Sequence, residues 1–119
     1  MAIARAELGT GAAVDRDRLS EALEEQTRRV DDRDAYPGLV PKAAALLLAL
    51  LRLRPFERAN ARVSLLTATV FLNRNGLDLE AHDDDLIALV AVAATGELTV
   101  LQTAAALERF VVRLTPPEG

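Results

Sequence analysis

The chain has 119 residues, half of them hydrophobic but only 3% aromatic, and a formal net charge of -4. That length suits one domain, and a core drawn mainly from Leu, Val and Ala predicts an all-α fold, a compact single-domain helical bundle, over a sandwich or barrel. The acidic balance argues against a nucleic-acid binder, and the lack of cysteine excludes disulfides, thiolate metal sites and a cysteine nucleophile.

The opening MAIARAELGTGAAVDRD holds no apolar run long enough for a signal peptide, which points to a cytoplasmic protein. A first helix is expected at about Asp17 to Val30, with Leu19, Ala22, Leu23 and Val30 toward one face and charged residues over the rest. Pro37 and Gly38 in DDRDAYPG break it. A second helix, about Leu39 to Leu53, is apolar nearly all round, so neighbours should cover it on most sides. Its densest stretch, Ala43 to Leu51, is about half the roughly 20 residues that span a bilayer, so it reads as a buried core helix and no membrane span is expected.

A third helix, about Asn60 to Asn75, offers Val63, Leu66, Val70 and Leu72 to the core and ends at Asn75-Gly76. A fourth, about Asp84 to Ala94, follows Asp83, Asp84 and Asp85, which suit its N-terminus. The last, about Val100 to Leu114, follows Thr99, a candidate N-cap, and stops before Pro116 and Pro117. Residues 115–119 read as a frayed tail. No repeat, long linker or low-complexity block interrupts this order.

Between the second and third helices lies RPFERANARV, a short charged loop in an otherwise apolar region. With its surroundings, DAYPGLVPKAAALLLALLRLRPF before it and VSLLTATVFLNRNG and AATGELTVLQTAAALERF after it, the loop resembles the motif region of the Fic/Doc family, in particular the Doc (death-on-curing) branch. The resemblance runs from about residue 9 to residue 110. The family signature is His-x-Phe, two residues of which the second is usually acidic, Gly or Ala, Asn, Lys or Gly, and Arg. Pro55 and Phe56 match the positions after the histidine, Ala59 the small residue, Asn60 the asparagine and Arg62 the arginine. Arg54 stands where the family has its catalytic histidine, Arg58 where it has the acidic residue, and Ala61 where Doc members have lysine. The family's first helix is here shortened to MAIARAEL.

The resemblance implies transfer of an adenylyl or terminal phosphoryl group from a nucleoside triphosphate to a protein hydroxyl, with the histidine taking the hydroxyl proton. A guanidinium has no acceptor site for that proton at neutral pH, so Arg54 cannot replace it as general base. The acidic position implies a Mg²⁺ ligand. With Arg58 there, metal binding in the family manner is not expected, and Glu57, one position away, is the remaining candidate. What persists is a phosphate cradle: backbone N–H groups at the start of a helix, with Arg58, Asn60 and Arg62 as candidate contacts to ATP, another nucleotide or a phosphorylated small molecule. A purely structural alternative has Asn60 capping the helix and the arginines solvated or paired with Glu57 and the aspartates. His82, the sole histidine, is the only replacement base by residue type, but it lies in a connection with no catalytic role in the family.

Three functions therefore stand open. One is a degenerate Doc-like protein that binds phosphate or nucleotide and regulates, or serves in a toxin–antitoxin pair, without His-dependent transfer. Another is a transferase with a non-histidine mechanism, and the third is the same fold recruited to different chemistry. The family also implies an antitoxin-like partner whose helix packs on the domain.

Overall fold

The computed structural model describes residues 13–114. The opening segment MAIARAEL and the tail at 115–119 lie outside the described residues.

Helix α1, Arg16–Glu24, starts where the Asp15 side chain accepts a hydrogen bond from the Arg18 N–H at 3.0 Å, satisfying one of the donors that a helix start leaves orphaned. Leu19 and Ala22 are buried on its inner face. The helix does not continue to Val30. A tight turn at Glu25–Thr27 closes it, with Gln26 and Thr27 side chains donating to the Leu23 and Glu24 carbonyls that a longer helix would have used. Strands β1 (Arg29–Val30) and β2 (Arg33–Asp34) then pair antiparallel. The two connecting residues, Asp31 and Asp32, both have positive φ (52° and 63°), as a primed hairpin turn requires. Val30, expected in the core, is 51% exposed.

Helix α2, Leu39–Leu53, has the expected bounds, entered from Gly38 at φ 97°, a conformation that glycine adopts without Cβ strain. Ala43, Ala44, Leu47 and Leu50 are fully buried. Helix α3 spans Asn60–Arg74, strand β3 Leu77–Leu79, helix α4 Asp83–Ala93, helix α5 Val100–Glu108 and strand β4 Val111–Arg113. The last helix is shorter than expected because Val111 and Val112, β-branched and suited to a pleated surface, leave it to pair antiparallel with Asp78 and Leu79.

Two apolar clusters meet on opposite sides of α2. One joins Ala44, Leu47 and Leu51 to Ala68 of α3, Leu89 and Val90 of α4 and Leu107 of α5. The other joins Leu46 and Leu50 to Leu19 of α1, Phe56 and Val63. Burying an aliphatic or aromatic side chain is worth about 1.5–3 kcal/mol, so α2, the helix that contributes several residues to both clusters, organises the domain. The fold is a mostly α single domain with two short ribbons, and no described helix is long and apolar enough to cross a membrane.

The caps set the orientation of the outer helices. Thr99 caps α5 and forms a reciprocal box with Gln102: Oγ1 accepts from the Gln102 N–H at 3.1 Å and Gln102 Oε1 accepts from the Thr99 N–H at 2.9 Å. At α4 the aspartates do not cap; His82 occupies the N-cap without a side-chain bond, while Asp83, Asp84 and Asp85 fill the first turn, where their charge complements the helix dipole.

Candidate functional site

The loop joining α2 to α3 begins and ends with non-glycine residues in the left-handed region: Arg54 (φ 49°, ψ 58°) closes α2 and Ala59 (φ 50°, ψ 37°) opens α3. A Cβ is disfavoured in this region by about 1–2 kcal/mol, so surrounding contacts must hold the loop in place. Pro55 and Phe56 supply one anchor, both nearly inaccessible to solvent. Asn60, 4% exposed, supplies the other: its Oδ1 accepts from the Phe56 N–H at 3.3 Å and its Nδ2 donates to the Leu50 carbonyl at 3.0 Å. One amide thus ties the end of α2, the middle of the loop and the start of α3 together. Its partner is not a helix N–H, so Asn60 is not the helix cap.

A third anchor comes from the segment before α1. Val14 bridges antiparallel to Phe56, the Asp15 N–H donates to the Pro55 carbonyl at 2.7 Å, and the Glu57 N–H donates to the Ala13 carbonyl at 3.1 Å. Glu57 Oε2 accepts from the Ala13 N–H at 2.9 Å. The carboxylate considered as a metal ligand is therefore turned to the residue 13 backbone. No group of three or more His, Cys, Asp or Glu among the described residues is arranged to hold a metal ion, and the cationic Arg58 beside this loop does not fit a Mg²⁺ site.

The exposed arginines of the motif do not share one cradle. Arg54 lines a cleft of about 620 Å³ between the C-terminal half of α2, the base of the hairpin and the α4–α5 turn, together with Arg52, Glu25 and Tyr36. Arg62 lines a groove of about 660 Å³ between α3 and α4, together with Leu65, Leu66, Leu86, Ile87 and Asp83. Arg58 is exposed and lines neither, and His82, also exposed at the head of α4, lines neither.

Arg52, Glu25 and Tyr36 carry no motif signal. Arg52 is visible in hindsight only as the other arginine of LRLRPF. Glu25 Oε1 accepts from the Tyr36 hydroxyl at 2.9 Å and pairs with Arg28 at 3.3 Å. Partial burial and then the Glu25 hydrogen bond push the Tyr36 phenol above its ordinary value near 10, so it remains a donor. Glu25 likewise raises Arg28 and holds it charged.

A central apolar helix, a loop fixed by a buried phenylalanine and asparagine, and a second helix opening on that asparagine define a Doc-type domain, and the chain belongs to the Doc family. It is 38% identical over 85 residues to the protein kinase doc of Escherichia phage P1, an alignment that covers 69% of this chain and 67% of that protein. No family model matches the chain.

Proposed function

We propose that this Doc-family domain is a phosphate- or nucleotide-binding protein of the toxin–antitoxin type that has lost His-dependent group transfer. The observation that carries the reading is the contrast inside the motif. Phe56 and Asn60 hold the loop in shape, whereas the position that should accept a proton, Arg54, bears a side chain without an acceptor site. Arg62, in the first turn of α3, offers a planar guanidinium beside the positive end of the helix dipole, a combination suited to phosphate oxygens.

The relative's name describes a protein kinase, and this chain retains the frame of such a site without its base or its acidic metal position. Calorimetry with ATP, with and without Mg²⁺, tests the proposal. Binding should be nearly unchanged by Mg²⁺ and weakened at least about tenfold by Arg62→Ala, the scale of one lost charge-assisted contact. If no nucleotide or phosphate binds, the reading fails. Combining Arg54→His with Arg58→Asp should restore measurable phosphoryl or adenylyl transfer if only those positions silence it.

The partner implied by the family is an antitoxin-type helix. The groove between α3 and α4 is the apolar surface suited to one, because Ile87 is 64% exposed there beside Leu65, Leu66 and Leu86, and an amphipathic helix lays its apolar face into such a groove.

A further inference from the structure

We propose that Arg52 and Arg54 form a second anion site, separate from Arg62, that takes a small phosphomonoester carrying an apolar ring. Both arginines line the cleft between α2 and the α4–α5 turn, and neither side chain has a hydrogen-bond or ion-pair partner among the described residues. The chain carries 18 acidic residues against 14 basic ones, so two arginines on one cleft with no partner among the described residues are a local exception to its charge.

The carboxylate on the cleft wall does not neutralise them. Glu25 is already held by Arg28 and the Tyr36 hydroxyl, so among the described residues the charge lining the cleft is positive on balance. A helix dipole accounts for arginines near the end of α2, but not for two of them lining the same cavity. The rest of the lining is largely apolar, with Leu48 on α2 itself and Ala93, Leu98 and Val100 from α4 and the α4–α5 turn into α5, and Tyr36 adds an aromatic ring. A volume of about 620 Å³ falls within the range of small-ligand pockets. Two guanidinium forks match the oxygens of one phosphate group, while the apolar wall suits a ring attached to it.

Phenyl phosphate, adenosine monophosphate and inorganic phosphate are the probes, titrated calorimetrically into the whole chain. Phenyl phosphate should bind more tightly than inorganic phosphate, and tighten from pH 5 to 7.5 as the phosphate loses its second proton near pH 6. The binding that shifts the Gly96 and Thr99 amides should lose at least about tenfold in affinity in Arg52→Ala/Arg54→Ala and disappear in Arg52→Glu, and it should persist in Arg62→Ala, whatever phosphate the Arg62 groove takes. Amide signals of Gly96 and Thr99, which line the cleft, should shift on titration. Circular dichroism confirms that each variant is folded; both arginines are exposed, so their replacement leaves the core intact. Phenyl phosphate binding at these amides that survives the double variant, that is lost with Arg62→Ala, that is no tighter than inorganic phosphate, or that is absent altogether overturns the site. The first two results would leave the Arg62 nucleotide reading standing. Adenosine monophosphate binding with the same arginine dependence extends the ligand class to nucleotides, and its binding through Arg62 alone restricts the cleft to simpler aryl phosphates.

Discussion

Asn60 and Arg54 stand at opposite ends of one loop, and the fold treats them in opposite ways. Asn60 is 4% exposed, and both polar atoms of its amide are hydrogen-bonded to backbone. Arg54 is exposed, and its side chain has no partner among the described residues. A buried polar group must keep its partners or incur a desolvation penalty, whereas an exposed charge changes at little cost. The frame of the motif is therefore a requirement of folding, while its chemistry is carried on side chains that folding leaves free to vary.

The sharpest way to break this contrast is Asn60→Ala. It strands the Phe56 N–H in a buried setting, while the Leu50 carbonyl keeps the Arg54 N–H as a partner, so a loss of about 1–3 kcal/mol is expected in urea unfolding. Arg58→Ala, two positions away and exposed, should stay within about 0.5 kcal/mol of the parent. If both variants lose similar stability, frame and charge are not separable.

The frame was largely legible before the structure was known. The bounds of α2, its central burial, the Thr99 cap and the stop at Asn75-Gly76 all follow from apolar period and punctuation, which act over short distances along the chain. Three features were not. The Arg29–Val30 and Arg33–Asp34 strands are too short and too charged to show alternation, and β4 depends on Leu77–Leu79, far away in sequence. The separation of Arg54 from Arg62 depends on the left-handed turns at Arg54 and Ala59, which place their side chains on different clefts although the motif sets them close together. Asn60 was expected at a phosphate or at the helix cap, and its bonds to Phe56 and Leu50 could not be foreseen because they need the end of α2 folded back beside it.

A smaller effect is expected at Ala59. Its φ of 50° is strained for a residue with a Cβ but open to glycine, so Ala59→Gly relieves the folded state while adding freedom to the unfolded chain. The first effect exceeds the second, giving a net gain of up to about 1 kcal/mol in the urea midpoint. The same change at Ala61, inside α3, should instead destabilise by about 1 kcal/mol. A destabilised Ala59→Gly would show that the loop is held by contacts to the methyl group and not merely by the bonds of Asn60.

The smallest effect concerns the clamp beside the cleft. Tyr36 is the sole tyrosine of the chain, and burial together with Glu25 raises its phenol above the ordinary value near 10. Below pH 10 the phenol is protonated in both folded and unfolded chains, so the Tyr36–Glu25 bond contributes fully. As the pH rises past 10, the unfolded chain releases its phenolic proton first, which favours unfolding, and the contribution disappears as the pH passes through the raised folded value. Tyr36→Phe lacks this titration. The stability difference between parent and variant, followed by urea unfolding from pH 7 to 11, should hold constant to about pH 10 and then shrink. Phenolate absorbance should titrate later in the folded protein than in urea. A stability gap that stays constant through pH 11 would mean that the phenol is not held by Glu25, and that this side of the arginine cleft is less firmly fixed than the asparagine frame behind it.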